Sequence, residues 1–161
     1  MIVRAAASVI VAGALVLGAS GCSFFAPQAT LIHYEPSDGT AATVGDVKAR
    51  NVIALSEDGK TANLVLTLVN ESDKPVLVEF EYTDASKKPQ KAELSLQRNS
   101  TTPVGYSAGD KSVVLSNIDV TVGSLIPVYI QYGDEEGESM LVPVLDGAQP
   151  QFATLLPSDD E

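Results

Sequence analysis

Cysteine and histidine are almost missing from this 161-residue chain, with Cys22 and His33 the only example of each. A single thiol forms no intramolecular disulfide, so the fold must rest on its apolar core. Zinc sites draw on Cys, His and carboxylate ligands together, and one isolated residue of each soft type supports neither structural nor catalytic zinc. A Ser-His-Asp triad would have to recruit His33, and no Gly-x-Ser-x-Gly elbow accompanies it. No glycine run forms a phosphate-cradling loop. Positive charge is scarce too: 10 Lys and Arg face 21 Asp and Glu, a formal charge of −11. That imbalance repels phosphate backbones and anionic headgroups, so the composition argues against a nucleic-acid ligand. The expectation is a protein that is not an enzyme and needs no cofactor.

Long apolar runs are equally rare. The main one, residues 5–17, follows a short start containing Arg4 and has only Ser8 as a polar member. It is shorter than the roughly 20 residues of a spanning helix. It runs into Ala19-Ser20-Gly21-Cys22, so a basic start, an apolar stretch and small residues follow one another as in a secretory signal. With the cysteine at its end, this segment resembles a bacterial lipobox, although Ala19 stands where that pattern prefers Leu, Val or Ile. The resemblance implies cleavage between Gly21 and Cys22 and a diacylglycerol on the Cys22 sulfur. A cleaved ordinary signal or a membrane helix is the alternative. An anchored chain beginning at Cys22 would sit on the extracytoplasmic face of the cell membrane, with 9 Lys and Arg against 21 Asp and Glu, a formal charge of −12.

Four segments are expected: a signal at 1–21, a lipid-anchored tether at 22–43, a folded domain at 44–145 and an acidic disordered tail at 146–161. The tether has no steady period and is rich in small and turn-forming residues. Phe24 and Phe25 at its start are suited to a lipid interface. The tail carries Gly147, Pro150 and Pro157 and closes on Ser158-Asp159-Asp160-Glu161.

Within the domain the hydrophobic period is two, and no amphipathic helix of a dozen residues is expected. Residues 46–56 read as one strand. In the next, residues 60–70, Leu64, Leu66 and Leu68 share one face and Val65, Thr67 and Val69 the other, a pattern of burial on both sides. Val76, Val78, Phe80 and Tyr82 alternate with Leu77, Glu79 and Glu81, giving a half-buried strand. Residues 92–97, 112–116, 126–132 and 139–145 alternate likewise. Asp58-Gly59 is a hairpin signal, and Gly133-Asp134-Glu135-Glu136-Gly137 forms another turn. Some seven or eight short strands point to an all-β, Ig-like or cupredoxin-like antiparallel β-sandwich, while a small barrel would satisfy the same pattern.

Candidate functional residues are few. Asp134, Glu135, Glu136 and Glu138 lie on an expected hairpin tip, where solvation is the plainer role than calcium, which needs six or more converging oxygens. Asn51, Asn70 and Asn117 at strand ends suit turns. Tyr82, Tyr106, Tyr129 and Tyr132 are candidates for a recognition patch, and Tyr129 should point outward if Val128 and Ile130 fill the core.

The runs Val44-Gly45-Asp46-Val47-Lys48-Ala49-Arg50-Asn51-Val52, Ala62-Asn63-Leu64-Val65-Leu66-Thr67-Leu68-Val69-Asn70 and Gly123-Ser124-Leu125-Ile126-Pro127-Val128 resemble an uncharacterised family of actinobacterial lipoproteins. That family is in turn distantly similar to the periplasmic copper chaperones, which implies a cupredoxin-like or Ig-like sandwich. Those chaperones hold Cu(I) with His and Met, soft ligands for a soft ion. Only His33 and Met140 are on offer here, and Met140, beside Val142 and Val144, suits core filling. Two functions remain in view: a noncatalytic binding module for an envelope protein or cell-wall component, and a copper carrier with an incomplete ligand set.

Overall fold

A computed structural model describes residues 3–13, 36–107 and 109–157. Gly21, Cys22, Phe24, Phe25 and His33 lie outside the described residues. The chain divides into two units, Met1–Tyr34 and Glu35–Glu161. In the first, residues 3–13 form a helix, α1, with exposed side chains. Among the described residues no helix is long and apolar enough to cross a membrane.

The second unit is built of nine strands: β1 (Thr40–Val44), β2 (Val47–Leu55), β3 (Ala62–Asn70), β4 (Val76–Thr83), β5 (Pro89–Leu96), β6 (Ser100–Val104), β7 (Val114–Leu115), β8 (Leu125–Tyr132) and β9 (Glu138–Leu145). They follow the order β5-β4-β8-β9-β2-β3-β6, with β1 on β2 and β7 on β3. One layer holds β1, β2, β3, β6 and β7, and the other holds β4, β5, β8 and β9. The layers join where β2 and β9 run parallel, Ala54 beside Val144 and Leu55 beside Leu145. The sheet is thus mixed rather than wholly antiparallel. β1 and β6 are short strands that the alternation of apolar residues did not announce. β1 also starts inside the stretch read as tether.

Between the layers lies a core of Leu64, Leu66 and Leu68 from β3, Val78 and Phe80 from β4, Val128 and Ile130 from β8, and Val142 and Val144 from β9, all about 1% exposed or less. Each such side chain contributes about 1.5–3 kcal/mol through burial.

Strand β2 changes phase in its middle. Val47 and Ala49 point into this core before residue 51, and Val52 and Ala54 do so after it. The switch is a bulge, marked by a register shift against β3 between Arg50 and Ile53. Asn51 occupies it with φ of 51°, a left-handed conformation that Asn tolerates better than other L residues. Its Oδ1 accepts a hydrogen bond from the Gly39 amide at 2.9 Å. The extra residue turns Ile53 and Leu55 to the outer side of the layer.

There they form a second, smaller core with Val65 and Phe152, and Leu145, Leu155 and Leu156 pack against it. The residues after 145 were expected to stand off as a tail. Residues 146–157 instead fold back as turns, with the Phe152 amide bonded to Gln149 O and the Leu155 amide to Phe152 O, both at 2.9 Å. The physical reason is the uncovered apolar face of Ile53, Leu55 and Val65, which Phe152 removes from water. Replacing Phe152 with Ala should lower unfolding free energy by about 3 kcal/mol in chemical denaturation; a change of a few tenths would mean that this segment does not cover the face. Asn51→Val, which forces a β-branched residue into the left-handed region, should cost about 2 kcal/mol, and Asn51→Gly clearly less, in the same measurement.

Candidate functional site

The asparagines singled out from sequence serve the loops. Asn117, like Asn51, takes a positive φ, of 54°. Asn70 is 1% exposed. Its Nδ2 donates to Lys74 O at 2.8 Å and Gln97 O at 2.9 Å, while its Oδ1 accepts from the Ser72 amide and hydroxyl. One side chain thereby staples the β3–β4 and β5–β6 connections.

The tyrosines do not converge on one patch. Tyr82 is buried, and its hydroxyl accepts from the Ser116 amide at 2.9 Å. The Tyr132 hydroxyl accepts from the Asp46 amide at 3.0 Å and so anchors the β1–β2 turn. Tyr106 lies in the loop after β6. Tyr129 points outward as its neighbours require, and its hydroxyl accepts from the Gly137 amide at 3.1 Å, which lays the ring along the β8–β9 hairpin. Gly137 permits this, because a Cβ there would come within 2.4 Å of the Tyr129 ring.

Tyr129 belongs to an apolar strip on the outer face of the β5-β4-β8-β9 layer. Leu125 is 55% exposed, Leu141 57% and Tyr129 36%. In register, Leu125 faces Pro143, Pro127 faces Leu141 and Tyr129 faces Ser139, so these side chains share one face of adjacent strands. Beside the strip lie charges: Glu81 is level with Tyr129 and with Lys91, and Glu79 with Glu93. Lys91 bonds Glu79 at 2.8 Å and lies 3.9 Å from Glu81. The Glu79 hydrogen bond and charge hold the Lys91 ammonium above its ordinary pKa. Three carboxylates against one ammonium leave this flank net negative.

The acidic hairpin does not gather. Asp134, Glu135 and Glu136 are exposed, and Glu138 accepts from the Thr43 amide at 2.8 Å. No group of three or more His, Cys, Asp or Glu able to hold a metal occurs among the described residues. Asp84 is a structural carboxylate: it accepts from the Ser86 and Lys88 amides and from Gln90. The Lys88 bond foremost, then Gln90 and Ser86, hold its pKa below the usual range against the opposing effect of burial.

A concave feature of the fold was not legible in the sequence. On the outer side of the other layer, Asn63 of β3 is among the residues lining a cleft of about 450 Å³ between the loop after β6 and residues 154–157. Its Nδ2 donates to Gly105 O at 3.2 Å and Leu155 O at 2.9 Å. Gly105 has a φ of 74°, and a Cβ there would lie 2.5 Å from Leu64 O, so only glycine lets this loop approach β3 so closely. The one available signal was a polar Asn beside the apolar run Leu64-Val65-Leu66; with residues 146–157 read as a tail, the cleft had no second wall.

Strand order and layer packing define a cupredoxin-like β-sandwich. Among solved structures, the copper-bound PCuAC domain from PmoF2 aligns with a TM-score of 0.50 at 18% identity, over 66% of this chain and 97% of its own. The apo PmoF2 PCuAC domain aligns with a TM-score of 0.51 at 16% identity, over 68% of this chain and 97% of its own. The likeness is one of fold, and it agrees with the distant similarity to periplasmic copper chaperones expected from sequence. No protein-family model and no curated protein matches the sequence.

The chain's one cysteine and one histidine lie outside the described residues, which leaves Met140 as the soft donor among them. Met140 is 3% exposed and belongs to the main core, paired with Val128 across β8–β9. A thioether committed to packing between two layers does not fit a Cu(I) site, so the described residues do not fit this metal. Met140→Leu should therefore cost under about 1.5 kcal/mol and leave copper uptake by the full chain unchanged, as read by denaturation and metal analysis; loss of uptake would reassign Met140 as a ligand.

Proposed function

We propose that this chain is a noncatalytic binding module of the cell envelope, anchored to the membrane through a lipidated Cys22, with the outer face of the β5-β4-β8-β9 layer as its recognition surface. The observation that carries this reading is the strip of Leu125, Pro127, Tyr129 and Leu141, exposed side by side on one sheet face. Aligned apolar side chains beside a charged flank are the ordinary anatomy of a protein interface, in which a dry centre supplies affinity and a polar rim supplies register. The flank selects the partner's chemistry: an envelope protein presenting an apolar strip bordered by Lys or Arg, opposite Glu79, Glu81 and Glu93. Such a complex weakens as salt is raised.

Copper carriage is the second reading, favoured by the fold shared with a copper-bound domain. It would rest on His33 and donors from a partner, since Met140 packs in the core.

One experiment separates the two. Full-length protein in detergent is used as bait on solubilised envelope fractions beside a Leu125→Arg/Leu141→Arg variant and a Cys22→Ala variant. The expected result is a partner held by the wild type and lost with the double variant at unchanged circular dichroism, with Cys22→Ala released from the membrane fraction. Equal capture by wild type and double variant would overturn the proposed surface, and stoichiometric copper on the purified chain would favour the second reading.

A further inference from the structure

The layer of β4, β5, β8 and β9 ends on an open strand. β5 pairs with β4 along its whole length, from Thr83 beside Pro89 to Val76 beside Leu96, and among the described residues no strand takes its other side. The direction of its backbone groups follows from the turn that precedes it. The Asp84 amide donates to Lys88 O at 2.9 Å, so Lys88 turns its carbonyl towards β4, and in an antiparallel pair every second residue after it does the same. Gln90, Ala92, Leu94 and Leu96 thus bond β4, while Pro89, Lys91, Glu93 and Ser95 turn their backbone groups to the open side. Ser95 O agrees with this parity, because it accepts from the Lys111 ammonium. The ends of the edge are closed: Pro89 has no amide to offer, and Ser95 O is held by Lys111. Between them the N–H and C=O groups of the exposed residues Lys91 and Glu93 form an edge that another strand can extend.

The side chains of the same two residues say which strand. Lys91 is shared by Glu79, at 2.8 Å, and Glu81, at 3.9 Å. Glu93 makes no ion pair of this kind among the described residues and stands directly opposite Glu79, an unfavourable pairing of like charges. Its open side lacks a cation. A second copy of β5, laid antiparallel about a two-fold axis between the two Ala92 residues, brings one: Lys91 of each copy falls opposite Glu93 of the other. Both residues belong to the set whose backbone faces outward, so each such pair exchanges two hydrogen bonds. An axis at Lys91 or at Glu93 would instead set that residue against its own copy, like charge on like. At Ala92 the two strands form a non-hydrogen-bonded pair, the closer of the two antiparallel spacings, which a methyl group suits. Pro89 then lies opposite Ser95 of the second copy, so the carbonyl that meets no amide across the contact is the one that Lys111 already satisfies.

We propose that β5 is a self-recognition edge: two copies of this chain join β5 to β5 in the register centred on Ala92, extending a layer of four strands to twice that number. The contact is isologous, the same patch meeting itself, and it closes as a dimer. It does not depend on the reading of the apolar strip, which lies on β8 and β9, away from this edge.

The test is sedimentation equilibrium of the full chain in density-matched detergent. Three forms are compared: wild type, Glu93→Lys, and the charge-swapped Lys91→Glu/Glu93→Lys. The single variant places lysine opposite lysine at both symmetric positions of the dimer, yet gains Glu79 as a cross-strand partner within its own chain, so its fold is not at risk. Wild type should dimerise reversibly. Glu93→Lys should dimerise about tenfold more weakly or worse at unchanged circular dichroism, since two attractive cross-strand pairs become repulsive. The charge-swapped form should recover dimerisation, because every facing pair again joins opposite charges. A wild type that stays monomeric, a Glu93→Lys variant that dimerises as strongly as wild type, or a charge-swapped form as weak as the single variant would each overturn the assignment.

Discussion

The architecture turns on one inserted residue. A strand whose side chains alternate strictly keeps its even and odd positions on opposite faces along its whole length, as β3 does with Leu64, Leu66 and Leu68 in the main core and Val65 in the second. β2 exchanges its faces midway. Asn51, in a left-handed conformation, shifts the phase so that Val47, Ala49, Val52 and Ala54 all reach the main core while Ile53 and Leu55 emerge on the other side. The same point marks the exchange of partners along that edge of β2. β1 pairs with it up to Val52, and β9 takes over at Ala54 and Leu55. Bulge, partner exchange and the junction of the two layers are therefore one event, and each would be lost with the register that the bulge sets.

The second core follows from that event and creates the cleft in turn. Once Ile53, Leu55 and Val65 face outward together, an uncovered apolar patch is left beside the end of the last strand. The chain answers by folding residues 146–157 over it, with Phe152 as the plug. Asn63 ties the returning backbone down at Leu155 O and the loop after β6 at Gly105 O. Both amide protons are thereby committed to carbonyls, and the oxygen is buried beneath the segments they join. The polar cleft is thus a by-product of the closure of an apolar face, which explains why hydroxyl and carboxylate groups surround it although the patch beneath Phe152 is aliphatic.

This layering also decides what could be read from the sequence. The long strands β3, β4, β8 and β9 announced themselves because their alternation is a direct image of a buried face, and the outward direction of Tyr129 followed from the inward one of Val128 and Ile130. β1 and β6 did not, since Thr40–Val44 and Ser100–Val104 are short and rich in small or polar residues, and β6 pairs with β3, a strand distant in sequence. The Val65 face of β3 was correctly read as covered, but what covers it was not. A segment containing Gly147, Pro150 and Pro157 has the composition of a tail, and its packing rests on one aromatic residue whose target exists only after the Asn51 bulge has formed. The cleft needed that packing to be known first. Local patterns are legible, whereas a surface assembled from residues 63, 105 and 155 has no local signature.

Fold and chemistry separate cleanly here. A sandwich of this kind is specified by inward alternation, which many apolar sequences satisfy, so two domains can share it at under one-fifth identity. Function is left to outward and loop positions, which the core does not constrain. In this chain those positions carry oxygen: Asp, Ser, Thr and amide groups around Asn63, and Glu79, Glu81 and Glu93 beside the apolar strip. The one thioether among the described residues is drawn into the core, where it fills space between β8 and β9. Hard acceptors bind protons on nitrogen and oxygen well and soft ions poorly.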